Sequence, residues 1–224
     1  MKLTKKYAAS LKVIEKGKKY TTAEACDLVK KTATAKWDES IDVVFKLNID
    51  PKQADQQLRG TVVLPHGNGK TKKILAITDK VDEAKAAGAD FIGQQDMLDK
   101  ITKENWFGFD VIVATPNMMG LLGRMGRVLG PKGLMPNPKT GTVTNNIGDA
   151  IKEIKNGKIS YRNDKDGNLA VNFGKASFTA QYLTDNLNTI VDMVNKIRPA
   201  TIKGVYIQSC TVSSTYGPGI KIAI

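Results

Sequence analysis

Four hydroxyl residues, Ser209, Thr211, Ser213 and Thr215, occupy alternate positions near the end of the chain. On a β-strand that spacing gathers them on one face of a sheet, as a ladder of groups that both donate and accept hydrogen bonds. The ladder suits phosphate oxygens and ribose 2′-hydroxyls, and it suits a plain solvated sheet face equally well. What tips the balance toward recognition is the adjoining Thr215-Tyr216-Gly217-Pro218-Gly219, which supplies an aromatic ring and glycines that let a partner approach the backbone. A second group, Lys36-Trp37-Asp38-Glu39-Ser40, falls between an expected helix and an expected strand. There Trp37 can stack on a base or sugar while Lys36 meets a phosphate, or Trp37 can plug the core; the sequence weighs the two about evenly.

Groups that would support bond-making chemistry are sparse. His66 is the single histidine, set in a Pro-His-Gly turn, and it receives no role. Cys26 and Cys210 stand alone and far apart, which excludes a zinc ribbon and a disulfide framework and fits reduced, cytosolic thiols. Gly69-Lys70-Thr71 looks like the end of a phosphate-binding loop, but Leu64 stands where that motif needs glycine. Gly120, Gly123 and Gly126 do not have dinucleotide-loop spacing, and close packing of a helix on its sheet explains them better. Asp79, Asp90 and Asp110 flank expected strands, where turn and cap duties outweigh an active-site reading. The expectation is therefore no enzyme, no metal and no cofactor.

Composition points the same way. The 224 residues carry 34 Lys and Arg against 22 Asp and Glu, a formal net charge of +12, which favours polyanionic partners, nucleic acid first. No apolar run approaches the length of a membrane span and residues 1–14 lack a signal-peptide apolar block, so no membrane partner is expected. Two stretches hold bases without any acid: residues 1–14 with Lys2, Lys5, Lys6 and Lys12, and 111–148 with Arg124, Arg127, Lys132 and Lys139.

The elements that must position these groups follow from periodicity. Thr21 and Glu24 form a capping-box signal opening a helix over 22–35, and strict alternation from Ile41 to Ile49 marks a strand with one buried face. Another strand covers 59–64. From Lys72 the rhythm changes to short apolar runs at 74–77, 91–92 and 111–114 alternating with helices at 81–87 and 96–102, the pattern of a parallel sheet. After a Gly/Pro-rich loop at 130–141, a helix at 147–156 is stopped by Gly157. A hairpin turn at 163–167, a helix at 180–197 and a strand at 204–215 complete the chain. The last strand joins the first ones if the middle is an insertion, connected by two crossings with hinge glycines at Gly67 and Gly157.

Several blocks occur in order: Ala35-Lys36-Trp37-Asp38-Glu39-Ser40, Arg59-Gly60-Thr61 with Leu64-Pro65-His66-Gly67, Gly88-Ala89-Asp90, and the long run from Gly130-Pro131-Lys132-Gly133 to Gly141-Thr142-Val143. Arg162-Asn163-Asp164-Lys165 with Gly167 and Gly174-Lys175-Ala176-Ser177-Phe178 follow. Through them essentially the whole chain resembles the ribosomal protein L-one family, the bacterial type of the mobile stalk of the large ribosomal subunit. The resemblance implies an α/β and α+β fold in two domains. One is a discontinuous α+β domain with a split β-α-β-like sheet, residues 1–67 plus 158–224, and the other an inserted Rossmann-like three-layer α/β domain, 68–157.

It also implies a protein that is monomeric outside the ribosome and binds structured large-subunit rRNA, assists release of exit-site tRNA and represses its own operon through a similar mRNA element. The main RNA face would be Lys36, Trp37, Ser40, Asp164, Lys165, Gly167, Ser209, Thr211, Ser213, Thr215, Tyr216 and Gly217. Arg124, Arg127, Lys132 and Lys139 would form a weaker second contact. The family usually has phenylalanine in place of Trp37 and methionine in place of Tyr216. Two rival readings are a nucleotide-dependent enzyme using the inserted α/β domain and a translational repressor acting off the ribosome.

Overall fold

The computed structural model describes residues 4–15 and 17–223, so Lys2 of the basic N-terminal stretch lies outside the described residues. The chain starts with helices α1 (Lys5–Lys12) and α2 (Thr22–Thr32) and strands β1 (Ser40–Leu47) and β2 (Arg59–Val63). It continues through β3 (Ile74–Ile77), α3 (Val81–Ala86), β4 (Phe91–Gly93), α4 (Gln95–Glu104), β5 (Val111–Ala114), α5 (Met119–Arg124), α6 (Gly126–Leu129) and α7 (Ile147–Lys155). It closes with β6 (Lys158–Arg162), β7 (Asn168–Lys175), α8 (Ala180–Lys196), β8 (Ile207–Ser214) and β9 (Ile220–Ile222). These elements gather into two compact units, Met1–Gly69 with Ile159–Ile224, and Lys70–Lys158.

In the first unit a mostly antiparallel sheet runs in the order β7-β1-β8-β9. Alternation in β1 buries Ile41, Val43, Phe45 and Leu47, and the same period buries Leu169, Val171 and Phe173 on β7 and Cys210 and Val212 on β8. Helices α2 and α8 cover that face with Ala25, Val29, Leu183, Leu187, Ile190 and Val194, forming one core. The capping box that opens α2 is present: the Glu24 amide donates to the Thr21 hydroxyl at 3.4 Å and the Thr21 amide donates to the Glu24 carboxylate at 3.0 Å. The buried Asn186 of α8 accepts from the His66 amide at 3.2 Å and donates to the Gly67 and Phe173 carbonyls at 2.8 and 2.9 Å, fastening loop and strand to the helix. Gly67, expected to be a hinge, is thus held to α8 by its carbonyl.

Two further elements depart from expectation. Residues 5–12 form α1, whose buried Ser10 hydroxyl donates to the Thr32 carbonyl at 3.4 Å. The last strand, expected over 204–215, is shorter and is followed by a separate partner, β9, that pairs with β8 and, through Ile222, with Tyr20. Arg198 closes the preceding loop by donating to the Ile202 and Gly204 carbonyls, at 3.1 and 2.9 Å.

The second unit holds a parallel sheet ordered β4-β3-β5. All four β3 residues are buried because both of its faces are covered. Leu75, Ile77, Ile112 and Ala114 pack with Leu98, Ile101, Leu122 and Leu129 on one side. Ile74, Ala76 and Val113 pack with Ala84, Ile147, Ala150, Ile151 and Ile154 on the other. Gly157 ends α7 in the left-handed region, φ +94°, its amide donating to the Ile154 carbonyl at 3.3 Å.

The packing explanation for Gly120, Gly123 and Gly126 is overturned: a Cβ at any of them would meet nothing within 4 Å. They lie where the helical run breaks into α5 and α6, so their local effect is to weaken the helix. Gly123→Ala is accordingly expected to stabilise this unit by up to about 1 kcal/mol, read in a Trp37→Phe background as a later urea midpoint of the Trp106 fluorescence. An unchanged or earlier midpoint would contradict the open environment of that position.

Candidate nucleic-acid interface

The sheet face opposite the core is open, and β8 presents its hydroxyls there. Ser209 is exposed and Thr211 and Ser213 half-buried, while the alternate Cys210, Val212 and Ser214 are buried. Register gives each hydroxyl a neighbour: Ser213 pairs with Asp42, Thr211 with Val44 on one side and Lys221 on the other, and Ser209 with Lys46. The ladder therefore has ammonium groups alongside it. Thr215 lies just past the strand, its amide and hydroxyl both donating to the Ser40 carbonyl at 3.1 and 3.3 Å. Ser40 and Thr215, far apart in sequence, meet at one end of this face.

At that end the α2–β1 loop and the β8–β9 turn come together. Trp37 is 52% exposed and Tyr216 63% exposed, with ring centroids 5.8 Å apart and planes at 76°. Trp37 is thus no core plug; it is a free aromatic face beside a second one, next to the exposed Lys36. Asp38 secures the loop from below, accepting from the Ser177 amide and hydroxyl, each at 2.9 Å. Gly217 donates to the Ser214 hydroxyl at 3.1 Å, and a Cβ on it would come to 2.5 Å from that oxygen, so a larger residue would displace the Ser214 side chain.

Glu39, to which sequence reasoning gave no role, is central here. It is 1% exposed; one carboxylate oxygen accepts from the Ala35 amide at 2.6 Å and the other from the Tyr216 amide at 3.1 Å. Burial opposes its charge, but donors from Tyr216, Ala35, Ser214 and Thr34 outweigh that and hold the carboxyl below its ordinary range. The available signal was parity: Glu39 is in phase with Ile41, Val43 and Phe45, so an acid sits on the buried side of the strand.

The opposite end of the face carries the β6–β7 turn. Asp164 accepts from the amides of Asp166 and Asn168 at 2.9 and 2.7 Å and from the Asn168 side chain at 2.8 Å. The Asn168 side chain first, and these amides after it, lower its carboxyl from the ordinary value. Gly167 is buried with φ +77°, its carbonyl accepting from the Leu47 amide at 3.0 Å. Asp164 and Gly167 therefore build the turn, and Lys165 is exposed on it. Lys46 reaches the Asp166 carbonyl, tying the turn to the hydroxyl ladder. From Ser40 to Lys46 along β1 this face spans roughly 20 Å.

In the second unit Arg124, Arg127, Lys132 and Lys139 are all exposed. The Lys132 ammonium sits 4.2 Å from the centre of the Phe107 ring, which pins its loop. Lys139 rides on a turn knotted by Asn137, whose side chain accepts from the Lys139 amide at 2.8 Å and whose carbonyl accepts from the Thr140 hydroxyl at 2.9 Å.

Two of the three carboxylates considered for an active-site rim have structural duties. Asp90 accepts from the Ile74 amide at 2.9 Å and Asp110 from the Lys73 amide at 2.8 Å. His66 stacks on Tyr182 at 4.0 Å, with its Nε2 3.1 Å from Asp185. Burial pushes the Cys26 and Cys210 thiols up to about 11 and about 12, so both stay protonated at neutral pH. Among the described residues no group of three His, Cys, Asp or Glu is placed to hold a metal, and no helix is long and apolar enough to cross a membrane.

Residues 29–218 match the sequence profile of the ribosomal protein L1p/L10e family. A protein of Mesoplasma florum named large ribosomal subunit protein uL1 is 54% identical over 224 residues, covering 100% of this chain and 99% of its own length. A family match over most of the chain together with end-to-end identity at that level leaves one assignment: this chain belongs to the ribosomal protein L1p/L10e family.

Proposed function

We propose that this chain is a structural protein of the large ribosomal subunit that grips folded stalk rRNA with the open face of its four-stranded sheet. The observation that carries the reading is the convergence, on one uncovered face, of the β8 hydroxyls with the exposed Trp37 and Tyr216 rings. Hydroxyls and backbone at the Thr215–Gly217 turn are suited to ribose 2′-OH and phosphate oxygens, while the rings offer stacking surfaces. Lys36, Lys165 and the ladder-side Lys46 and Lys221 supply charge, so affinity falls as salt rises. Asp164 and Gly167 contribute by holding Lys165 in place.

The two compact units work as two domains in this reading, the discontinuous one, 1–67 with 158–224, being the main binder. The inserted Rossmann-like one, 68–157, adds a weaker contact through Arg124, Arg127, Lys132 and Lys139. Help with release of exit-site tRNA and repression of its own operon through a similar mRNA element rest on family resemblance and belong to the same proposal.

Co-sedimentation with large subunits and filter binding to a structured stalk-rRNA fragment test it. Thr215→Val is expected to weaken binding about tenfold by removing one hydrogen-bonding hydroxyl, while Lys132→Ala changes it only about twofold and lowers the salt slope. A larger loss from Lys132→Ala than from Thr215→Val would reverse the ranking of the two units.

A further inference from the structure

We infer that Glu39 is a positioning residue for RNA recognition: its buried carboxylate fixes the spacing of the Trp37 loop and the Tyr216 turn before RNA arrives. The inference rests on the reading of this face as the RNA-binding surface. Two segments that are remote in sequence each place one backbone amide on a different oxygen of the same carboxylate, Ala35 at 2.6 Å and Tyr216 at 3.1 Å. The Glu39 carbonyl meanwhile accepts from the Ala176 amide at 2.8 Å, so one residue joins the α2–β1 loop, the β8–β9 turn and the segment after β7. The two aromatic rings extend from these tied segments and touch edge to face. Neither ring is packed in the core, so burial does not fix them; the loops that carry them must.

The chemistry of the clamp is specific to a carboxylate. Amide donors reach both of its oxygens, and only a group with two acceptor oxygens satisfies them. Glutamine has nearly the same shape but one acceptor and one NH2, so it answers one amide and sets a donor against the other. An interface preset in this way spends less of its contact energy on ordering loops when it binds. Losing the clamp therefore weakens binding without removing any group that touches RNA.

The test uses the full chain with Trp106→Phe, which leaves Trp37 as the sole tryptophan. Magnetisation transfer between the Trp37 and Tyr216 rings and Trp37 emission are measured in the free protein, and filter binding to the structured rRNA fragment is measured alongside. Glu39→Gln is expected to abolish the ring-to-ring transfer, shift the emission and weaken RNA binding about tenfold. Ser214→Ala, which removes the hydroxyl that accepts from Gly217 and donates to Glu39, is expected to shift all three readouts in the same direction by less, and it serves if Glu39→Gln does not fold.

Unchanged ring contact in both variants overturns the inference, as does lost ring contact with RNA affinity retained. Failure of the parent Trp106→Phe protein to bind the fragment is a different result: it overturns the RNA-binding reading itself, and this role with it.

Discussion

Asn186→Leu is expected to lower the stability of the unit built from both chain ends by about 3 kcal/mol. The side chain is fully buried and satisfies three backbone groups, the His66 amide and the Gly67 and Phe173 carbonyls. Leucine fills a similar volume but leaves those groups short of partners, and each buried unsatisfied group costs about 1–3 kcal/mol, with partial relaxation of the exposed loop reducing the total. In urea a loss of that size moves the midpoint by about 1–2 M. Circular dichroism of the full chain should show an earlier transition, while in a Trp37→Phe background the fluorescence of Trp106, packed against Phe91 and Phe109 in the other unit, keeps its midpoint. A shift below about 0.3 M would mean that the loop after β2 is held by something else.

Trp37→Ala is expected to weaken binding of the structured rRNA fragment about thirtyfold, close to 2 kcal/mol, the middle of the range for one aromatic–base stack. Because Trp37 is exposed, the fold and its unfolding midpoint should hardly move. Because no charge is removed, the salt slope should stay as in the parent, unlike that of Lys36→Ala, which should flatten. Trp37→Phe keeps a ring on the same tied loop and should retain most of the affinity. Equal binding by Trp37→Ala and the parent would show that the ring pair is surface decoration, and would leave the hydroxyls to carry recognition unaided.

What could be read from the sequence divides along a physical line. Buried runs such as Ile74–Ile77 and Val111–Ala114 declare themselves because a strand covered on both faces has no polar interruptions. The alternation of β1 and the apolar stripe of α7 are equally plain, and so is the Thr21–Glu24 cap. The hydroxyl ladder followed directly from period two.

Features decided by distant partners were illegible. Helix α1 has a sparse apolar stripe and is placed by its neighbours, and β9 is three residues that become a strand only beside β8. The turn at 163–167 was legible from its Asp-Gly chemistry, but not the bonds by which Asp164, a candidate RNA contact with Gly167, holds it together. Glu39 and Asn186, the polar residues that tie the site and its unit together, are of types usually found at the surface, and only the parity of Glu39 with Ile41 and Val43 sets it apart.

The place of β1 between β7 and β8 has a consequence for biosynthesis. The strand leaves the ribosomal tunnel early, yet both of its partners are encoded after residue 167, so it must wait unpaired through most of elongation. The stretch 70–158 emerges with all its strands contiguous and can collapse in the meantime. The surface proposed to grip RNA is then the last thing a nascent chain acquires, and a product cut short before β8 lacks that surface altogether.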